Sequence, residues 1–356
     1  MKITVVCAGL SGNSGDDLIA YSELAALKHY LKDITNVVNF YPIRKKLVLS
    51  QDSINVYLQN NLTNTLGDIV ILGGGALIQN FRNPSALLPT LYYLSRKLIR
   101  ENKKYIVYGV SITSNLNPIS QYLAKKVLSN AEHVFCRDPQ STEIANKLIK
   151  NSKSLCCYDS VLDPNFREYT KYFDICLSKT GNNLANRTGS ILFLPSLDTR
   201  SEHQKYEQVM HFFKTTVSLS EQMSSPLIKL GFSSVMNKLD KRFITELHDG
   251  GKKIEVVHLT QADKLVNEIY SSSLVVTGRL HPGIISYKLK APFLLFSPTS
   301  KMENLFDEKH YWRDAAKLPD INAAKVNLES LIYEKLHPSS LIDIAKLVEQ
   351  IQQRKN

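Results

Sequence analysis

The stretch Leu274-Val275-Val276-Thr277-Gly278-Arg279-Leu280-His281-Pro282-Gly283 decides how the rest of the chain is read. An apolar run, a glycine and then a proline predict a buried strand, a tight turn and a helix start. Proline suits the first helical turn, where its missing N–H costs nothing. Arg279 and His281 then stand at a helix N-terminus, where N–H dipoles gather and anions bind. Histidine is the side chain whose ordinary range lies near neutrality, as proton transfer requires.

The same rhythm runs outward from this corner in both directions. Strand-like runs are predicted at 190–194, 227–230, 254–258, 274–277 and 293–296. Helical patterns lie at 210–219, 238–247 and 261–270, and a further helix starts at Pro282. Toward the N-terminus, strand-like runs fall at 3–7, 37–41, 69–72, 105–108, 133–136 and 155–158. A helix is predicted on Ala20, Leu24, Leu27 and Leu31, and another over 138–150. Short apolar strands alternating with helices argue for parallel sheets with helices on both faces.

The alternation fails between 164 and 189, where polar and turn residues dominate. The expected organisation is therefore α/β, with two Rossmann-like domains in a GT-B-type arrangement and a cleft between them. Residues 1–165 form the first domain, 166–189 the connection and 190–335 the second domain. A C-terminal helix over 336–356 packs back on the fold. At 356 residues, two cores of ordinary size are the natural division.

Composition narrows the class. The formal charge is +11, which suits an anionic partner. No zinc-finger spacing, RNP-type motif or basic arm supports nucleic acid. Five cysteines at irregular spacings read as buried thiols such as Cys7 and Cys136, not as a disulfide frame or metal site. No signal peptide and no run of about 20 apolar residues is present, so a cytoplasmic protein is expected, with room for peripheral contact at the inner face of the membrane.

In open α/β sheets ligands sit beyond the carboxyl ends of the strands. Three further corners qualify. Gly9-Leu10-Ser11-Gly12-Asn13-Ser14-Gly15-Asp16-Asp17 follows the first strand, with glycine spacing unlike the dinucleotide fingerprint. Asn13 and Asp16 suit sugar hydroxyls, and Asp16 equally suits a helix cap. Gly73, Gly74 and Gly75 follow the run at 69–72. They read as exposed backbone N–H groups able to hold an anion or a sugar oxygen, or simply as a tight turn. Arg137-Asp138 reads as a carboxylate or phosphate site, or as a surface ion pair. Lys301 follows the run at 293–296 and offers a point charge for phosphate.

In their order, Asn13-Ser14-Gly15-Asp16-Asp17, Ile71-Leu72-Gly73-Gly74-Gly75, Arg137-Asp138 with Ser141, Asp163-Pro164, Arg279-Leu280-His281 and Lys301 resemble the polysaccharide pyruvyl transferase family. Pro282 departs from that pattern, standing where a smaller residue is common. The resemblance implies transfer of pyruvate from phosphoenolpyruvate to a sugar of a glycan or lipid-linked saccharide as a ketal. Phosphate is released, and the product serves capsule, exopolysaccharide or cell-wall polymer synthesis. It implies that Arg137, Arg279, His281 and Lys301 bind phosphoenolpyruvate. Asn13, Gly15, Asp16, Gly73, Gly74 and Gly75 line the acceptor side. His281 is the expected acid and Asp16 the expected base, and neither a cofactor nor a metal is expected. Two other readings of the residues stay open, a nucleotide-sugar glycosyltransferase of GT-B type and a non-catalytic glycan-binding protein.

Overall fold

The computed structural model describes residues 2–8, 12–30, 37–42, 66–81, 87–149, 154–157, 159–162, 188–197, 202–223, 227–247, 254–296, 300–303, 305–306, 310–317 and 319. The expected C-terminal helix, the Asp163-Pro164 motif and nearly all of the expected connection lie outside them. The described residues form two compact units. One holds those numbered up to 162 other than 12–15. The other holds Gly12–Gly15 and those from 188 onward.

The first unit contains β1 (Lys2–Cys7), β2 (Val37–Pro42), β3 (Ile69–Ile78), β4 (Lys104–Ile112), β5 (His133–Cys136) and β6 (Ser154–Cys156). They form one parallel sheet in the order β2-β1-β3-β4-β5-β6. Its helices are α1 (Ser14–Tyr30), which belongs to it from Asp16 onward, α2 (Leu87–Arg100), α3 (Pro118–Ser129) and α4 (Pro139–Ile149). The crossover through α1 steps one way along the sheet, and those through α2, α3 and α4 step the other way. Right-handed connection therefore puts α1 on one face and α2, α3 and α4 on the other.

The sequence explains these elements locally. Ile69, Val70, Ile71 and Leu72 are all buried, as a central parallel strand covered on both faces requires. On α2, Leu88, Leu91, Leu94 and Leu98 line one buried stripe, each worth roughly 1.5–3 kcal/mol of burial. Asn117 caps α3, its side-chain oxygen accepting the Ser120 N–H at 2.8 Å, with Pro118 at the first helical position. Cys7 and Cys136 are buried thiols.

The second unit contains β7 (Thr188–Leu194), β8 (Leu227–Phe232), β9 (Ile254–His258), β10 (Ser272–Thr277), β11 (Phe293–Phe296) and β12 (Tyr311–Trp312). Their order is β12-β11-β10-β7-β8-β9, again parallel. The helices are α5 (Glu202–Gln222), α6 (Lys238–Leu247), α7 (Ala262–Ser271), α8 (Leu280–Lys288) and the short α9 (Ser300–Glu303). The core here is aromatic. Phe193 stacks on Phe296 at 5.0 Å between centroids and meets Phe213 edge-on at 5.1 Å.

One expectation is corrected. Gly73, Gly74 and Gly75 do not end their strand in an open turn. β3 runs through them to Ile78, with a register irregularity between Gly75 and Ile78 against β4. Gly74 and Gly75 take φ of +64° and +96°, which only glycine adopts without strain. All three are buried. Among the described residues, no helix is long and apolar enough to cross a membrane.

Candidate functional site

In the second unit, β7 and β10 lie side by side while their crossovers leave in opposite directions. This is the topological switch point at which open α/β sheets bind ligands. The residues after both strands are tied together there. Gly278 N–H donates to the Leu194 carbonyl at 3.1 Å. Arg279 N–H donates to Thr277 Oγ1 at 3.0 Å, and Arg279 Nε donates to the Pro195 carbonyl at 2.6 Å. A Cβ at Gly278 would lie 2.9 Å from the Phe296 ring, so only glycine lets the turn pass. Arg279 is the N-cap of α8, and His281 sits in its first turn.

Burial lowers the Arg279 guanidinium below its ordinary value, and Asp240 opposes the shift. Arginine remains a cation under any such shift. Asp240, in the first turn of α6, is 1% exposed. Burial raises its carboxyl, while the Asn237 N–H and the Arg279 charge lower it. Asp240 Oδ2 accepts the Asn237 N–H at 2.8 Å, and Oδ1 has no hydrogen-bond partner among the described residues.

The segment Gly12–Gly15 belongs to this unit by its contacts. Ser14 donates through both N–H and Oγ to the Ser233 carbonyl, each at 3.0 Å. Val235 N–H donates to the Gly12 carbonyl at 3.0 Å, and Asn13 bridges Ser234 in antiparallel fashion. Asn13 Oδ1 accepts the Gly15 N–H at 3.1 Å, so the helix cap is Asn13 and not Asp16. A Cβ added at Gly15 would overlap the His281 ring, with Cγ at 2.7 Å. His281 therefore packs directly on the Gly15 backbone.

In the first unit, α1 lays one face over the glycines of β3. Asp16, Ile19 and Glu23 stand three and four residues apart on that face. A Cβ at Gly75 would lie 3.6 Å from Asp16 Oδ1. At Gly74 it would run into the Ile19 side chain, and at Gly73 it would lie 2.7 Å from Glu23 Oε2. The glycine run is thus a groove that receives a helix face. Glu23 is 1% exposed, and neither carboxyl oxygen has a hydrogen-bond partner among the described residues. Burial raises its carboxyl well above the ordinary 4.5, and Asp159 pushes the same way.

Arg137, at the end of β5, is buried and committed to the protein. Its Nη1 donates to Asp159 Oδ2 at 3.0 Å and its Nε to Ser111 Oγ at 2.5 Å. The surface pair with Asp138 is corrected on both counts: the pair is buried and its partner is Asp159. Asp138 instead caps α4, accepting from Ser141 N–H at 2.8 Å and from the Ser141 and Ser111 hydroxyls. The side chain of Lys301, on α9, lies outside the described residues.

The structure thus brings Asn13, Gly15, Arg279 and His281 together in one unit, and Asp16, the three glycines of β3 and Arg137 belong to the other. Sequence reasoning missed Glu23, Asp159 and Asp240. The spacing of Asp16, Ile19 and Glu23 on a helix before a glycine run was the available signal for the first. Asp159 and Asp240 carry none.

Two parallel Rossmann-like sheets define a fold of the GT-B type, and solved structures share it. UDP-GlcNAc 2-epimerase from Methanocaldococcus jannaschii superposes with a TM-score of 0.62 at 11% identity, covering 98% of this chain and 100% of that one. UDP-GlcNAc 2-epimerase from Neisseria meningitidis, bound to UDP-GlcNAc, gives 0.59 at 11%, covering 99% and 100%. The S. aureus MnaA–UDP structure gives 0.56 at 13%, covering 91% and 86%. No curated protein matches in sequence. The family model for polysaccharide pyruvyl transferase matches residues 13–300, and the chain belongs to that family.

Proposed function

We propose that this enzyme transfers the pyruvyl unit of phosphoenolpyruvate to a sugar of a glycan or lipid-linked saccharide as a ketal, releasing phosphate. The observation that carries the reading is Arg279 and His281 at the N-terminus of α8, with the guanidinium fixed on Pro195 and the imidazole seated on Gly15. A permanent cation, helix N–H dipoles and an imidazole at one helix N-terminus suit a substrate with a carboxylate and a phosphate.

In this reading Arg279 and Lys301 hold the anionic groups of the donor. His281 gives a proton to the methylene carbon while a sugar hydroxyl attacks C2, forming the first C–O bond. Asp16, next in the chain to Gly15, takes the hydroxyl proton. A second hydroxyl of the same sugar then attacks C2 and gives its proton to the now neutral His281, phosphate leaves with the C2–O bond electrons, and the ketal closes. The substrate's own carboxylate offsets positive charge at C2. Asn13, Gly15 and the face of Asp16 over Gly75 serve the acceptor side.

The test is thermal unfolding with phosphoenolpyruvate and with UDP-sugars. A ligand at about 100 times its Kd stabilises by roughly 2.7 kcal/mol. Stabilisation by phosphoenolpyruvate that is lost in His281→Ala supports the reading. A response to UDP-sugars alone moves the function to the nucleotide-sugar chemistry of the solved neighbours, whose structures carry UDP or UDP-GlcNAc. Turnover of His281→Ala within about tenfold of the parent removes the acid role, because general acid–base groups contribute about 10²–10⁴-fold.

A further inference from the structure

The outer faces of α2 and α3 combine two properties that no other described surface shares. The described residues include six exposed large hydrophobics, and four of them stand on these two helices: Tyr93 (58% exposed), Ile99 (40%), Ile119 (65%) and Tyr122 (54%). The two helices pack side by side on the same face of the first sheet. Tyr93, Arg96 and Arg100 follow helical spacing on α2, as Ile119, Tyr122 and Lys126 do on α3. Both apolar sets therefore point outward among cations.

The charge is equally concentrated. Residues 87–129 carry seven Lys and Arg and one acid, Glu101, a net +6 of the chain's +11. Glu101 is taken by Lys97 and Lys103. Arg96, Arg100, Lys125 and Lys126 are exposed and form no ion pair among the described residues. Lys126 reaches over the Tyr122 ring, 5.5 Å from its centroid. Neither helix contains an acidic residue.

We propose that this face docks the enzyme on an anionic lipid bilayer. Tyrosines and isoleucines enter the headgroup boundary, where amphipathic rings prefer to sit, and the surrounding Lys and Arg meet lipid phosphates. A protein partner fits the chemistry less well, since interface centres are depleted in lysine and here two adjacent lysines flank the apolar residues. Each cation near an anionic surface adds about 1 kcal/mol, or about fivefold in partition. Docking by this face is independent of which donor the enzyme uses, and it would hold the enzyme at the surface where a lipid-linked acceptor resides.

The full chain is sedimented with phosphatidylcholine vesicles and with vesicles containing about one third phosphatidylglycerol. Wild type is expected to pellet with the anionic vesicles and to be released as salt is raised toward about 1 M, where screening is short-ranged. Lys125→Ala with Lys126→Ala should lower the partition by about thirtyfold. Ile119→Ser with Tyr122→Ser should lower it as well. Lys238→Ala with Lys241→Ala, exposed on α6, should leave it unchanged. Arg96→Ala with Arg100→Ala repeats the test on the other helix, and melting curves show which variants fold. Absence from the anionic pellet overturns the proposal, as does equal partition of folded charge variants and wild type. Capture by an oligonucleotide or self-association through this face, with no vesicle binding, also overturns it.

Discussion

The imidazole of His281 rests against the α-carbon of Gly15 with no room for a methyl group between them. The two residues are far apart in sequence, and each marks a helix N-terminus. The glycine fixes where the ring can stand. In the first turn of α1, Gly15→Ala would ordinarily stabilise the helix by about 0.5–1 kcal/mol. Here it overlaps a ring, and overpacking costs about 1–3 kcal/mol. The variant is expected to melt below the parent and to lose turnover by about a hundredfold as His281 is displaced. A raised melting temperature with full turnover would show that the ring has no need of this seat.

Arg137 and Asp159 form an ion pair with 6% and 2% side-chain exposure. Removing one partner of a buried pair strands the other and costs about 3–5 kcal/mol. Asp159→Asn should therefore lower stability by about that amount in urea unfolding. It leaves Arg137 without its counter-charge beside Ser111. If Arg137 serves only the donor, Asp159→Asn will unfold like the parent and change only the dependence on phosphoenolpyruvate.

These two pairs show what sequence can and cannot disclose. The strands at 133–136, 254–258 and 293–296 were legible to the residue, because short apolar runs bounded by turn residues have one economical reading. The helix start after Gly278 was legible from Pro282 to within two residues. The glycines of β3 were legible as special but not as to why. Their purpose is to admit Ile19 and Glu23, which lie about fifty residues earlier. Arg137 was legible as a strand-end cation. Its partner Asp159 was not, because a long-range pair leaves no trace in local spacing. Exposed apolar residues on α2 and α3 were hidden for the opposite reason: a helix of mixed character gives no sign of which residues find cover.

Arg279 uses Nε to hold the Pro195 carbonyl, which orients the rest of the guanidinium. Lysine has no planar fork and cannot keep that bond while presenting paired donors. Arg279→Lys should retain the charge and the fold yet raise the KM for phosphoenolpyruvate by about tenfold to a hundredfold. That range corresponds to one charge-assisted hydrogen bond of roughly 1.5–3 kcal/mol. Steady-state kinetics decide this. An unchanged KM would mean that charge alone, without the fixed fork, holds the donor.

Glu23 is buried with its carboxyl against the Gly73 and Gly74 backbone, and burial raises its pKa well above 4.5. The native state keeps the proton after the unfolded state has released it. Between the ordinary carboxyl value and the raised native value, the unfolded chain binds fewer protons, so stability falls as pH rises. The contribution is fully present below about pH 4.5 and is lost progressively above it, by at most about 1.4 kcal/mol per pH unit. Glu23→Gln keeps the shape and cannot ionise. Its stability relative to the parent should therefore grow as pH rises above about 4.5, read as diverging melting temperatures. Parallel curves for the two proteins would mean that Glu23 titrates in the native state as an ordinary carboxylate, with a counter-charge supplied at its site.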